Sequence, residues 1–292
     1  MINKNKKLLN IPFPKLNSDN THIEFQIIDM KTLFEIKTNH NIEYAHRLEF
    51  NLILIMLEGK GIHNIDFKPY EYSQGTIFFI KKHQVHSFQI NPDSNCFLLQ
   101  FTDNFLNNIL KNSVYDIFDY MRYPVNLQLD KKSLEDLLNN INLLSNQLSF
   151  QNDEFTEPIL QALLESLILQ LKRQRKGQTI ILENKDQQIY QKFLNLVHNS
   201  HTYSKNVQYY SKELDISSRT LTNLLNKYTG KSTKIYLNEF LLLEIKRQLF
   251  DKSLTIQNIA DKLEFDEPTN LIKFFKRFER ITPKEYRQIK KI

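Results

Sequence analysis

Between residues 207 and 278 the apolar positions of this chain repeat. Val207, Tyr210, Leu214 and Ile216 are followed by Leu221, Leu224, Leu225 and Tyr228. Ile256, Ile259, Leu263 and Phe265 are followed by Leu271, Phe274, Phe275 and Phe278. The first four of each set match at an offset of 49, the second four at an offset of 50. Spacing of i, i+3, i+4, i+7 marks one buried helical face, so each half reads as a helix, a tight turn and a second helix. The extra residue falls in the second turn, Phe265-Asp266-Glu267-Pro268, where an insertion disturbs least. Two copies are too few for a solenoid and predict a paired helix-turn-helix. Ser211 and Ala260 occupy equivalent places on the first helices, and a small residue there lets two helices cross closely. Each second helix has a start signal: Ser217 or Ser218 in one copy, Asp266 followed by Glu267 and Pro268 in the other.

Upstream the pattern changes twice. Residues 23–102 carry short runs rich in β-branched and aromatic residues, HIEFQII, EFNLILIML, GTIFFI, HSFQI and CFLLQF. Turn signals at Gly59 and Gly61, Pro69, Gly75 and Asn91-Pro92-Asp93 separate them. This spacing predicts a small antiparallel barrel or jelly roll. After Thr102 the period becomes helical, over residues 103–114, 131–148 and 157–175. The last segment has a wide apolar stripe from Ile159 to Leu171, which fits either core against the barrel or a partner surface. The expected fold class is α+β, an N-terminal β-barrel with a helical hairpin and an all-α double helix-turn-helix. The expected domains are a leader over 1–20, a barrel-plus-helices domain over 21–176, a linker over 177–186 and a helical domain over 187–292.

Charge changes this picture in one place. From residue 186 to the end there are 19 Lys and Arg against 12 Asp and Glu; the remainder has 20 against 21. The whole positive excess therefore sits on the repeat domain, as expected of a polyanion binder. The second helix of each pair must then show a polar or basic side, and Arg219, Thr220, Thr222, Asn223, Asn226 and Lys227, with Thr269, Asn270, Lys273, Lys276 and Arg277, supply it. Lys172, Arg173, Arg175 and Lys176 form a further basic cluster, read as a solvated helix end or a DNA contact.

The motifs YTGKSTK (228–234), EFLLLEIKRQL, IQNIADKLEFDEPTNLIKFFKRF and ITPKEYR resemble the C-terminal domain of AraC/XylS-type transcription regulators over about the last 100 residues. That resemblance implies two helix-turn-helix units joined by a long helix, here 235–250, with residues 189–197 as a supporting first helix. It also implies partners: double-stranded DNA, a second copy of the chain, a small-molecule effector and RNA polymerase. Base contacts are expected from Arg219, Thr222, Asn223, Thr269, Asn270 and Lys273, and phosphate contacts from Lys227, Lys231, Lys276 and Arg277. The chain departs from the family pattern where an Arg is usual near Phe240 or Leu241, an Ala at Ile245, and glycines at Glu264 and near Arg280.

The strand-rich region resembles a cupin. Metal-binding cupins place two His and a Glu before one Gly and a further His after a second. Here His46 and His86 fall at two of the four places, while Leu48 and Leu52 occupy the others, so no metal and no cofactor are expected. His46 and His86 are read as packed barrel residues, or as lining an effector pocket with Arg47, Tyr70 and Tyr72. No nucleophile–base constellation is visible, so an enzyme is not expected; a cupin metalloenzyme fused to a DNA-binding module, or a regulator governed by a protein partner without a ligand, stands as the alternative. One cysteine, Cys96, excludes an internal disulfide, and no apolar run is long enough to span a bilayer. A cytoplasmic, dimeric activator responding to a small molecule is the expectation.

Overall fold

The computed structural model describes residues 9–14, 23–30, 32, 42–89, 91, 93–107, 115–120, 123–150, 153–175, 184–200 and 202–289. They fall into two units, Leu9–Thr179 and one that contains Ile180–Ile292. The first unit opens with strands β1 (Leu9–Ile11), β2 (Phe25–Asp29), β3 (His46–Leu48), β4 (Asn51–Glu58) and β5 (Gly61–Ile65). It continues with β6 (Lys68–Tyr72), β7 (Thr76–Ile80), β8 (Val85–Phe88), β9 (Asn95–Phe101) and β10 (Asn126–Gln128). These form two five-stranded sheets, ordered β1-β3-β8-β5-β6 and β10-β7-β4-β9-β2. The α+β class holds, but the strands make two sheets with edges rather than one closed barrel. β1 lies inside the stretch expected to be a loose leader and pairs in parallel with β3. Three residues are too few to show an alternation in the sequence.

Strand parity explains why LILIM (52–56) and IFFI (77–80) are apolar at every position. Along a strand successive side chains face opposite ways. Ile53, Ile55, Ile77, Phe79, Leu99 and Phe101 face a core shared with helices. Leu52, Leu54, Met56, Phe78, Ile80 and Leu98 belong to a second core that also takes in Leu48, Ile65 and Phe88 from the other sheet. A strand buried on both faces loses its polar alternation.

The helices covering the outer face are α1 (Asp103–Asn107), α2 (Lys131–Ser149) and α3 (Thr156–Gln174), with a 3₁₀ turn at Tyr115–Phe118. Of the helix expected over 103–114, residues 108–114 lie outside the described set. Asp130 caps α2, its carboxylate accepting from the Ser133 backbone N–H at 2.7 Å. The wide stripe of α3 is mostly core: Leu160, Leu164, Leu167, Ile168 and Leu171 are buried, whereas Ile159 and Leu169 are exposed. Arg175 is neither a solvated helix end nor a DNA contact. It is buried, donates to the carbonyls of Ile117 and Pro124, and lies over the Phe79 ring at 4.2 Å. Its long stem and flat guanidinium suit packing as well as charge.

In the second unit, α4 (Asn184–Ser200) precedes α5 (Val207–Glu213), α6 (Ser218–Thr229), α7 (Thr233–Leu249), α8 (Ile256–Lys262), α9 (Pro268–Glu279) and α10 (Pro283–Ile289). Residues 176–183 of the expected linker region lie outside the described set, and α4 has begun by Asn184. The repeat extends to hydrogen bonds. Ile216 N donates to Ser211 O at 3.0 Å, and Phe265 N donates to Ala260 O at 2.9 Å, 49 residues on. Asp215 and Glu264, also 49 apart, both have positive φ, at 53° and 57°. Gly230 and Arg280, 50 apart, end α6 and α9 at φ 69° and 64°. The family's two missing glycines are thus places where an L-residue holds a left-handed backbone.

Glu264 has local compensation: its carboxylate accepts from the hydroxyls of Thr202, at 2.8 Å, and Ser204. Those bonds, Ser204 first, hold its carboxyl below the usual range. The joining helix α7 gives Leu241, Ile245 and Leu249 to the core of the second copy. At its end, Arg287 of α10 donates to the carbonyls of Leu249, Asp251 and Leu254 at 2.9, 3.1 and 2.7 Å. Phe278, expected inside, is 37% exposed, while its counterpart Tyr228 is 4%. Tyr228 stacks on Tyr190 of α4 at 4.5 Å, whereas Phe278 rests on its neighbours Phe274 and Arg277.

Candidate functional site

Two places concentrate chemistry, the outer faces of α6 and α9 and a cavity in the sheet-rich unit. Ser217 caps α6 by accepting from the Thr220 N–H at 3.0 Å. α9 starts differently from expectation: Glu267 rather than Asp266 is the cap residue, without a side-chain cap bond, and Pro268 supplies the preset first turn. Both helices bury one side, Leu221, Leu224, Leu225 and Tyr228 in α6 and Leu271, Phe274 and Phe275 in α9. The opposite side shows Arg219, Asn223, Asn226 and Lys227 in one and Thr269, Lys273, Lys276 and Arg277 in the other, all exposed. These pair off at the offset of 50, so the two helices present polar groups at the same four places.

Thr222 and Asn270 stand apart from the other expected base contacts because both are half-buried. The Thr222 hydroxyl accepts from Thr233 at the start of α7, at 3.3 Å. The repeat carries a signal for this, since Thr222 matches Ile272, an apolar residue. Among the expected phosphate contacts, Lys227 is 3.1 Å from Asp186 and Lys231 is 2.6 Å from Glu239. Exposed pairs of this kind are worth at most about 1 kcal/mol, so a closely placed phosphate can replace either carboxylate. Lys246 of α7 pairs with Glu279 of α9 at 2.7 Å and ties the joining helix to α9.

The cavity holds about 420 Å³ and is lined by β1, β3, β4, β5, β8 and β9 together with residues such as Pro12, Met30 and Ile42. His46 and His86 are register partners across β3 and β8, and both line it. The third histidine, His63 on β5, was not anticipated. Its Nε2 is 3.1 Å from His86 Nδ1, and its ring meets Phe78 and Phe88 edge-on. Counting from glycines does not find His63; strand alternation does, because it shares a face with Ile65, which is also buried. Burial, with the His46 charge second, pushes His63 down to about 3, so it is neutral near pH 7. His46 Nδ1 lies 2.9 Å from Tyr44 O. A carbonyl only accepts, so this nitrogen carries the hydrogen. Burial pushes the Cys96 thiol, also in the wall, up to about 12.

Arg47, Tyr70 and Tyr72 do not line the cavity. Arg47 lies between His46 and Leu48 and so faces away from them. The Tyr72 ring stacks on Phe88 at 5.2 Å and its hydroxyl meets Ser94 at 3.1 Å. It also fills the space a side chain at Gly61 would need. Tyr70 is half-buried, its phenol pushed up by burial and then by Asp66. Among the described residues no group of three or more His, Cys, Asp or Glu is placed to hold a metal ion. No helix among them is long and apolar enough to cross a membrane.

Residues 28–189 match the family described as AraC-like ligand binding domain, and residues 210–289 match a helix-turn-helix domain family. Curated relatives include the HTH-type transcriptional activator RhaS of Enterobacter sp. (strain 638), 25% identical over 258 residues, covering 83% of this chain and 87% of that protein. RhaS of Pectobacterium atrosepticum is 25% identical over 256 residues, covering 83% and 86%. Among solved structures, ToxT from Vibrio cholerae superposes with a TM-score of 0.41 at 16% identity, covering 90% of this chain and 97% of that one.

Proposed function

The chain belongs to the AraC family of DNA-binding transcription regulators with an N-terminal ligand-binding domain, and from that membership we propose how this member works. α6 and α9 enter two successive major grooves on one side of the duplex. Arg219, Asn223, Thr269 and Lys273 meet base edges; Thr222 and Asn270 serve from the flank. Lys227, Lys231, Lys276 and Arg277 meet phosphates. The observation that carries this reading is the pair of matched polar faces, exposed at the same four places of two capped helices. α7 has 17 residues, about 25 Å of helix at 1.5 Å per residue, and the groove repeat it must serve is about 34 Å. The width of the recognition helices and their offsets from α7 supply the difference.

The protein works as a homodimeric activator beside RNA polymerase, as a regulator and not an enzyme, with an effector in the cavity of the sheet-rich unit. Exposed Leu169 of α3, which borders a groove of about 610 Å³ between α2 and α3, supports a second copy docking there. Selection of genomic fragments by the full-length protein tests the central claim. The expected result is a shared site whose informative bases span two major grooves one turn apart. Equal recovery of random and genomic DNA overturns it.

A further inference from the structure

The cavity of the sheet-rich unit has an unusual balance. Apolar side chains such as Ile28, Leu52, Leu54, Phe50 and Leu98 make most of its wall. Among the described residues that line it there is no Lys, Arg, Asp or Glu. Its polar groups are Asn10, Gln100 and the three histidines, and Gln100 already accepts from the Gln26 amide. A polyhydroxylated ligand needs a hydrogen-bond partner for each buried hydroxyl, and this wall does not offer them. A carboxylate or phosphate is held best by a lysine or arginine, and the described residues of this wall include neither.

His63 brings to this wall a polar atom that asks for a partner. His63 is 1% exposed, and its Nδ1 has no hydrogen-bond partner among the described residues. Its other nitrogen shares a hydrogen bond with His86 Nδ1. If His63 donates in that bond, Nδ1 is a bare acceptor; if His86 donates, His63 Nδ1 carries a hydrogen. A hydroxyl satisfies either tautomer, because it both donates and accepts. An unmet buried nitrogen is destabilising, and a single ligand group would recover that loss.

We propose that the effector is an uncharged, largely hydrocarbon molecule carrying one hydroxyl, with the hydroxyl on His63 Nδ1 and the hydrocarbon along Leu52, Leu54 and Leu98. This rests on the reading that the cavity is the effector site, and it adds the chemical class. The volume of about 420 Å³ is in the range of small-molecule sites.

The test uses the full-length protein near neutral pH, titrated with decanol, decanoate and glucose by calorimetry and thermal shift. Decanol is expected to bind at least about tenfold more tightly than decanoate, a difference of about 1.4 kcal/mol, with glucose not bound. Decanoate binding as tightly as decanol overturns the uncharged head; glucose binding overturns the hydrocarbon body. If none of the three binds while cognate DNA does, the effector class is wrong and the DNA reading stands; if DNA fails, the earlier reading falls by itself. His63→Phe is expected to weaken decanol about tenfold and His63→Gln to retain most of it. An unchanged decanol affinity in a folded His63→Phe protein overturns the role of Nδ1, and if that variant fails to fold, the wild-type ranking and His63→Gln decide.

Discussion

The two helix-turn-helix copies share a frame and differ in how each is finished. The first recognition helix begins on a capping serine and ends on glycine; the second begins on Pro268 after an uncapped Glu267 and ends on Arg280. The first shows Arg219, Asn223, Asn226 and Lys227, the second Thr269, Lys273, Lys276 and Arg277. Arginine and asparagine present planar forks that match guanine and adenine edges, whereas lysine presents a compact charge that can meet a guanine or a phosphate. On one set of buried positions, the difference gives the first copy more amide side chains and the second more cationic ones.

The largest expected effect tests the shared frame. Phe275 is fully buried between α7, α8 and Tyr286, so Phe275→Ala should cost about 3–5 kcal/mol in denaturant unfolding. A loss below about 1 kcal/mol would mean the second copy is not held by the core described here.

Next comes the division of labour. Arg219→Ala should reduce discrimination between cognate and random duplex by about 1–3 kcal/mol. Lys276→Ala should weaken both alike and reduce the salt slope by about 1. Equal effects of the two on discrimination would erase the contrast between the copies.

Helix starts give a smaller difference. Ser217→Ala removes a cap bond and should cost about 1 kcal/mol of thermal stability, while Glu267→Ala, which loses no cap bond, should cost less. Equal losses would show that the bond at Ser217 contributes nothing distinctive.

The smallest effect has the opposite sign. Arg280→Gly should stabilise by about 0.5–1 kcal/mol, because glycine reaches φ near 64° without a Cβ clash. Measured destabilisation would mean that the Arg280 side chain contributes more than the backbone strain it imposes.

How much of this was legible in the sequence follows from the period of each element. The repeat was plain because helical faces recur over many residues, and the structure extends its offset to the backbone of Asp215 and Glu264 and of Gly230 and Arg280. The strands were visible, but their spacing left a closed barrel and a two-sheet jelly roll both open, since closure depends on edges rather than on any one strand. His63 was missed because ligand spacing was counted where side-chain parity was the better guide. Arg175 was misread because a charged residue at a helix end is ordinarily solvated, and only the Phe79 ring and the carbonyls of Ile117 and Pro124 reveal its burial. Arg47, Tyr70 and Tyr72 were expected to help line a pocket at the barrel mouth, but they lie outside the cavity lining, Arg47 because it alternates with His46 along β3.

The three carbonyl bonds made by Arg287 reach back 33 to 38 residues, from the last described helix to the end of the joining helix. A cell that nicked the tail ahead of Arg287 would unlatch the segment on which the second reading head is mounted. Without Arg287 the carbonyls of Leu249, Asp251 and Leu254 lose their shared guanidinium partner, so α10 acts as a latch on the turn between α7 and α8.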